Sequence, residues 1–168
     1  LFRALGIPIY EHTGFEADDI IGTIAELAKQ QKNLRVIIAS GDLDTLQLVA
    51  GKRVQVYTFK KGLTDTVLYD ELAVRTRFGF SPELLPDWKG FRGDPSDNII
   101  GIAGIGEKTA TVLVSRFGPL EKIYQELKRR PSTLRQAGLK DRVVKLLQDG
   151  EEEALFSKTL ATIRRDAP

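Results

Sequence analysis

The first half of the chain alternates between segments with helical periodicity and segments typical of buried strands. Residues 17–31 carry apolar side chains at helical spacing, and RVIIAS at 35–40 is short, β-branched and almost continuously apolar, as in a buried parallel strand. GDLDTLQLV then predicts a turn and a short helix over 43–49, the alternating VQVYTF a strand at 54–59, and a turn leads to a strand near 65–68. This order predicts an α/β fold with a mainly parallel sheet.

Beyond residue 70 almost every segment has a helical pattern. YDELAVRTRFG is a helix that ends at Gly79, and Ser81-Pro82-Glu83 combines an N-cap residue with proline at the first helical position, ahead of the only tryptophan, Trp88. The remaining helices are predicted at 107–117, 119–130, 140–149 and 151–164. We therefore expect two domains, an α/β part at 1–80 and an all-helical part at 81–168.

Composition excludes several classes of protein. With 42% hydrophobic and 29% charged residues the chain is typical of a soluble globular protein. The absence of cysteine excludes disulfides, thiolate chemistry and zinc sites of the cysteine type. No apolar run approaches the roughly 18 residues of a membrane span and no signal-peptide pattern opens the chain, which favours a cytoplasmic protein without a membrane partner. Because the chain contains no methionine and begins at Leu1, we interpret it as a fragment or a processed piece.

Carboxylates concentrate in three short segments. One or two acidic side chains at a helix start are ordinary, each stabilising by about 0.3–1 kcal/mol, but three within four residues of GFEADDIIG repel one another. A second group follows RVIIAS, where ligands bind outside the carboxyl ends of parallel strands. Taken singly, each acidic residue is explained as a turn or cap residue. The seven residues are Glu16, Asp18, Asp19, Asp42, Asp44, Asp94 and Asp97.

Taken together, these carboxylates favour a site for a hard cation. Mg²⁺ and Mn²⁺ prefer oxygen ligands, and two such ions about 3.5–4 Å apart support in-line displacement at phosphorus. The pattern therefore predicts nuclease or polymerase chemistry with Mg²⁺ or Mn²⁺ rather than Zn²⁺. The single histidine, His12, is better explained by packing than as a general base.

A glycine-rich segment, GIAGIGEKTA at 101–110, predicts a phosphate contact of another kind. It is not a Walker A loop, because Glu107 separates Gly106 from Lys108, and it lacks the third glycine of a dinucleotide fingerprint. A Gly-Ile-Gly hairpin between two helices fits better, since free N–H groups at the next helix start bind phosphate oxygens. A plain helix turn would explain the glycines, but not their pairing with Glu-Lys-Thr.

The charge distribution supports a polyanionic partner for the second half. Residues 91–168 carry 14 basic and 11 acidic side chains, whereas residues 1–90 carry 11 and 12. Basic side chains near the hairpin neutralise backbone phosphates without reading the base sequence. We therefore expect duplex DNA to bind at the hairpin.

GFEADDIIG, ASGDLDTLQLV and FRGDPSDNIIGIAGIGEKTA, in this order and spacing, resemble the 5′ nuclease (5′–3′ exonuclease) domain of bacterial DNA polymerase I, a member of the flap endonuclease family. The resemblance covers essentially the whole chain. It implies a PIN-like α/β core followed by a helical region with a helix-hairpin-helix. It also implies cleavage of 5′ flaps and removal of RNA primers, in replication and repair, with two Mg²⁺ and a K⁺ at the hairpin.

By matching position, the resemblance assigns roles to individual residues. Asp18, Asp42 and Asp44 are expected to be catalytic, and the seven acidic residues together to be metal ligands, direct or through water. The expected DNA contacts are Gly104, Ile105, Gly106, Lys108 and Thr109. The expected partners are duplex DNA with a 5′ flap, nick or RNA primer and the polymerase domains of the same parent chain, with the protein itself a monomer.

Two departures from the family pattern leave alternatives open. Ile100 and Ala103 stand where the family usually has proline. The family's first strand, with its own metal-binding aspartate, and its helical arch are expected before Leu1. A DNA-binding module without catalysis is therefore an alternative for this chain, and a PIN-type ribonuclease is a third hypothesis.

Overall fold

Two units make up the computed structural model, which describes residues 1–62 and 64–168. Unit 1 comprises Leu1–Asp70 together with Ile163–Pro168, and unit 2 comprises Glu71–Thr162. Among the described residues, no helix has both the length and the apolar character that a membrane span requires.

Over its described residues, unit 1 contains one α-helix, three strands and two 3₁₀ helices. The first 3₁₀ helix is Arg3–Leu5, and the remaining elements follow it. In chain order these are α1 (Ala17–Lys29), β1 (Val36–Ala39), the 3₁₀ helix Leu43–Leu48, β2 (Val54–Lys61) and β3 (Asp65–Tyr69). The predicted helix and strands of this half are confirmed within a few residues, and the predicted short helix after β1 has the tighter 3₁₀ form.

The sheet has the order β1-β2-β3 and is mixed. Strands β1 and β2 are parallel, with Val36 opposite Val54, whereas β2 and β3 are antiparallel, with Val56 opposite Tyr69. The sequence predicts a mainly parallel sheet, and the antiparallel pairing of β2 with β3 departs from that prediction. The short connection after β2 permits only a hairpin, because a parallel return needs a crossover of a dozen or more residues.

One face of this sheet is buried and the other is mostly exposed, with Gln55 as a buried exception. Ile38, Val56 and Tyr69 are buried, whereas their neighbours Ile37 and Tyr57 are about half exposed. This alternation follows from the two-residue period of a strand. The four residues at 45–48 that follow the second acidic segment are all buried, so that segment is anchored to the core of unit 1.

Unit 2 is all helical, as predicted. Its α-helices are α2 (Glu71–Phe78), α3 (Leu85–Arg92), α4 (Glu107–Phe117), α5 (Leu120–Arg129), α6 (Pro131–Gln136), α7 (Asp141–Asp149) and α8 (Glu151–Ala161). The predicted helix start at Ser81 opens a 3₁₀ turn, Pro82–Leu84, ahead of α3. Helix α6 was not predicted, because six residues are too few to show helical periodicity.

The core of unit 2 surrounds α3. Trp88 is buried against Phe78 and Phe80, and its indole Nε1 donates to Thr111 Oγ1 at 3.0 Å. Gly90 allows close packing of α3, because a β-carbon there would lie 2.9 Å from both the Ala154 carbonyl oxygen and Leu120 Cδ1. The buried α3 carries the third acidic segment at its C-terminal end.

Candidate metal centre and nucleic-acid interface

The first acidic segment begins α1 and is held by backbone hydrogen bonds. Glu16 is the N-cap residue, and its N–H donates to Asp19 Oδ2 at 3.2 Å as one half of a capping box. The other oxygen, Asp19 Oδ1, accepts from the Arg164 N–H at 2.9 Å. Glu16 is exposed, whereas Asp18 and Asp19 are half-buried. Asp19 therefore has a structural role in addition to the metal-binding role predicted for it.

The second acidic segment follows the carboxyl end of β1. Asp42 caps the 3₁₀ helix, since its Oδ1 accepts from the Asp44 N–H at 2.9 Å, while Ser40 Oγ accepts from the Asp42 N–H at 3.0 Å. Thr45 Oγ1 donates to the Asp42 carbonyl oxygen at 2.6 Å. These three bonds fix a tight acidic turn at the sheet edge where the sequence predicts a ligand site.

In the third acidic segment, two carboxylates contact the ammonium group of a lysine. The Lys89 Nζ lies 2.6 Å from Asp94 Oδ2 and 3.5 Å from Asp97 Oδ2, and only 7% of the Lys89 side chain is exposed. Ser96 donates to Asp94 Oδ1 through both its N–H, at 3.1 Å, and its hydroxyl, at 2.6 Å. Burial opposes ionisation of Asp94, but the bonds from Lys89 and Ser96 outweigh it and hold the pKa of this carboxyl below its ordinary value.

The donor set fits a hard divalent cation. Every side chain that the sequence predicts as a ligand offers carboxylate oxygen, which suits Mg²⁺ or Mn²⁺. Unit 1 holds two of the acidic segments and unit 2 holds the third. In unit 2 the carboxylates of Asp94 and Asp97 converge on one ammonium group, an arrangement that favours positive charge.

The glycine hairpin lies between α3 and α4, and hydrogen bonds from its backbone hold it to α3 and α8. The Gly101 N–H donates to Ser157 Oγ at 3.0 Å, and the Ile102 N–H donates to the Phe91 carbonyl oxygen at 2.9 Å. Gly93 and Gly101 both have positive φ, of 74° and 64°. A β-carbon on Gly101 would collide with the backbone nitrogen of Gly93, so glycine is required at this crossing.

At the tip of the hairpin the backbone is exposed and the apolar side chain is buried. Ile105 is 3% exposed, whereas Gly104, Gly106 and Lys108 are exposed and Thr109 is half-buried. Gly106 is the N-cap residue of α4, so the first N–H groups of that helix begin here. Such groups carry partial positive charge and bind anions.

One basic residue beside the hairpin, Arg142, was not predicted from the sequence as a DNA contact. A β-carbon placed on Gly104 would lie 3.1 Å from Leu146 Cδ1 and 3.8 Å from Arg142 Nη2, so α7 brings both side chains against the hairpin. Arg142 and Leu146 are one helical turn apart and therefore share a face of α7. The periodicity of α7 is visible in the sequence, but the contact between α7 and the hairpin is not.

Comparison with known proteins covers the whole chain. A family model described as the N-terminal resolvase-like domain of 5′–3′ exonuclease matches residues 1–79, and one described as its C-terminal SAM fold matches residues 80–168. DNA polymerase I of Bacillus caldotenax is 46% identical over 168 residues, and that of Bacillus subtilis is 40% identical over the same length. The chain spans 18% of the length of each of these two relatives.

Solved structures show a similar fold. A structure of T5 5′-exonuclease with zinc bound matches with a TM-score of 0.77 and 24% identity, covering 95% of this chain and 54% of that one. The catalytic core of Rad2 in complex with a DNA substrate matches with a TM-score of 0.56 and 18% identity, covering 98% of this chain and 53% of that one. The expected fold, an α/β part followed by a helical part, is confirmed.

Proposed function

The chain belongs to the 5′–3′ exonuclease family, and from that membership we propose that it supplies metal-binding and DNA-binding parts of a structure-specific 5′ nuclease. Its substrate is duplex DNA with a 5′ flap, a nick or an RNA primer, and its reaction is hydrolysis of a phosphodiester bond. In this proposal residues 1–80 belong to the catalytic core and residues 81–168 bind the duplex. The protein acts as a monomer in the cytoplasm, linked to the polymerase domains of the same parent chain.

One observation carries this proposal. Unit 2 combines carboxylates that converge on a cationic group, Asp94 and Asp97 around Lys89, with an exposed hairpin that begins α4. Convergent carboxylates bind cations, and a helix start beside glycine binds phosphate. A metal-dependent enzyme that acts on a nucleic-acid backbone needs a cation site and contacts to phosphate, and these two features can supply them.

The acidic residues would hold two Mg²⁺ or Mn²⁺ ions, which supply activation of a water molecule and stabilisation of the leaving oxygen when they are bound. A carboxylate has about four acceptor sites, so the bond from the Asp44 N–H leaves Asp42 with capacity for a cation. We assign direct contact with the reacting centre to Asp18, Asp42 and Asp44. The remaining ligands, direct or through water, are Glu16, Asp19, Asp94 and Asp97.

The hairpin would bind the DNA backbone. The exposed Gly104 and Gly106 allow close approach of a phosphate, Lys108 adds positive charge, and Thr109 lies in the first turn of α4. The side chain of Arg142 lies beside the same loop, and we include it in this contact. The buried Ile105 positions the loop rather than touching DNA. A K⁺ at the hairpin, coordinated by backbone carbonyl groups, belongs to the same proposal.

The decisive experiment is Asp42→Asn in the full-length protein, assayed on a 5′-flap duplex with Mg²⁺. We expect cleavage to fall by more than about 100-fold, beyond the usual cost of losing an outer-shell partner, while flap binding is retained. Asp65→Asn is the matched control, because Asp65 is an exposed aspartate at the start of β3.

Three results would contradict this function. If Asp42→Asn cleaves as well as Asp65→Asn, the acidic turn after β1 is not catalytic. If the unmodified protein binds the flap but does not cleave it with Mg²⁺ or Mn²⁺, the chain is a non-catalytic DNA-binding module. If single-stranded RNA is cleaved in preference to flap DNA, the protein is a PIN-type ribonuclease.

A further inference from the structure

The last residues of unit 1, Ile163–Ala167, form a strap along helix α1. The Arg164 N–H donates to Asp19 Oδ1 at 2.9 Å, and the Ala167 N–H donates to Thr23 Oγ1 at 3.0 Å. Arg165 Nη1 donates to Glu26 Oε2 at 3.3 Å. These three acceptors are four and three residues apart, so they lie on one face of α1.

The strap is bonded on its other side to the 3₁₀ helix that follows Asp42. The Ile163 N–H donates to Gln47 Oε1 at 3.0 Å, and Arg165 Nη2 donates to the Gln47 carbonyl oxygen at 3.2 Å. Gln47 and Ile163 are both buried, at 3% and 8% exposed. The strap therefore connects both acidic segments of unit 1, although it lies more than 110 residues further along the chain.

Close packing shows that the strap is fitted to α1. Gly22 faces it, and a β-carbon on Gly22 would lie 2.7 Å from the Arg164 carbonyl oxygen and 2.8 Å from Ile163 Cγ2. The Arg164 guanidinium lies 4.5 Å from the centroid of the Phe15 ring, in the turn that leads into α1. Asp166 accepts from two nitrogens of the same guanidinium, at 3.0 and 3.1 Å, and so fixes its position.

We propose that the strap is a positioning element for the acidic start of α1. The link is the Asp19 carboxylate, because Oδ1 accepts from the strap while Oδ2 accepts from the Glu16 N–H. One side chain thus connects the strap to the helix cap, and the strap limits the orientations that Glu16, Asp18 and Asp19 can adopt. This inference rests on the proposed function, in which these carboxylates hold cations.

The strap orders the acidic side chains at the start of α1 in advance, so that less of their freedom is lost when a cation binds. Without it, Asp19 Oδ1 loses a backbone donor, and the guanidinium that stacks on Phe15 is lost from the turn. The carboxylates would then have to be ordered when the cation binds, which lowers affinity. Outer-shell partners that orient metal ligands typically change affinity by about 10–100-fold. The strap can therefore set the affinity of unit 1 for the metal.

The test weakens the strap by two separate substitutions on the face of α1 that the strap contacts. Thr23→Val keeps the side-chain shape but deletes the acceptor of the Ala167 N–H, and Gly22→Ala introduces a methyl group where the strap passes. In the full-length protein we expect each variant to bind Mn²⁺ about 10-fold more weakly by calorimetry without DNA. We also expect faster amide hydrogen exchange at residues 16–19, with the KM for flap DNA unchanged.

Thr76→Val is the matched control. Thr76 Oγ1 donates to the Leu72 carbonyl oxygen at 2.8 Å, as Thr23 Oγ1 donates to the Asp19 carbonyl oxygen at 2.8 Å, so the same intrahelical bond is lost without any effect on the strap. The proposal is overturned if Thr23→Val matches Thr76→Val in both Mn²⁺ affinity and exchange. Should the unmodified protein bind no Mn²⁺, the proposed function fails, and the exchange rates alone then support or overturn the strap.

Discussion

Replacing Lys158 by methionine should destabilise unit 2 far more than the same replacement of Lys128. Each lysine forms an ion pair with an N–O distance of 2.7 Å, Lys158 with Asp87 and Lys128 with Glu151. Lys158 also lies 2.8 Å from Glu121, whose side chain is half exposed. Their surroundings differ, because the Asp87 side chain is 3% exposed whereas the Lys128 side chain is 67% exposed. The two substitutions therefore compare a buried ion pair with a surface one at equal distance.

The N–O distance and the burial of each pair give the expected cost of each substitution. At 2.7 Å the attraction is about 6 kcal/mol for an effective dielectric constant of about 20 and about 1.5 kcal/mol in water. Desolvation cancels much of the first figure, yet removing one partner of a buried pair typically costs about 3–5 kcal/mol. Because the Leu120 N–H still donates to Asp87 at 2.7 Å, we expect about 3 kcal/mol for Lys158→Met. Lys128→Met should cost at most about 1 kcal/mol.

The pH dependence of the stability cost of Lys158→Met gives a second test. Burial raises the pKa of Asp87, although the Leu120 N–H and Lys158 act in the opposite direction, and removing Lys158 raises that pKa further. A carboxyl group with a raised folded-state pKa stabilises most below its unfolded pKa, and this contribution is lost as pH rises through the folded pKa. The cost of Lys158→Met should therefore be largest at neutral pH and shrink toward the ordinary carboxyl pKa of 3.8.

Urea unfolding followed by Trp88 fluorescence measures this effect, because the only tryptophan of the sequence lies in unit 2. The Asp87→Asn background is the internal control. With the buried carboxylate removed, Lys158→Met should lose most of its cost there, because its other partner, Glu121 at 2.8 Å, has a half-exposed side chain. Equal losses for Lys158→Met and Lys128→Met, within about 0.5 kcal/mol, would refute the reasoning.

Two further predictions concern the hairpin. Arg142→Gln should reduce the slope of log affinity against log salt for duplex DNA by about 0.9, the share of one phosphate contact. An equal reduction for Lys122→Gln, at an exposed lysine of α5, would mean that only overall charge matters. Gly101→Ala should cost about 3 kcal/mol or more in urea unfolding, because positive φ and a backbone collision act together. Gly118→Ala, which also has positive φ but open space around it, should cost only about 1 kcal/mol.

Local patterns predicted the elements of this fold better than their arrangement. The bounds of α4 match the prediction because Gly106 and Gly118 enclose an apolar-periodic segment. The antiparallel pairing of β2 and β3 follows from the short turn between them and not from the alternation pattern of either strand. The path of residues 163–167 along α1 depends on Gly22, a small residue whose partner lies far along the chain. Such long-range packing has no local signal.

The same limit applies to the candidate site. Acidic residues at a helix start and at a strand end identify Asp19 and Asp42 as candidates, and the hydrogen bonds of each agree with its predicted position. The buried Lys89 was not identified, because a lysine in a helix is usually solvated. Its role depends on the turn at Asn98, whose φ of 57° returns the chain so that Asp94 pairs with Ile99.

The cap role of these carboxylates is compatible with the metal-ligand role proposed for them, and the first assists the second. Asp19, Asp42 and Asp94 each accept a backbone N–H from a neighbouring residue or from the strap. Such bonds fix the side-chain orientation. A carboxylate held in this way is ordered before a cation arrives, so less ordering remains to oppose binding. The local bonds that make each residue look like a simple cap thus order the three segments for the ligand role that we propose for them.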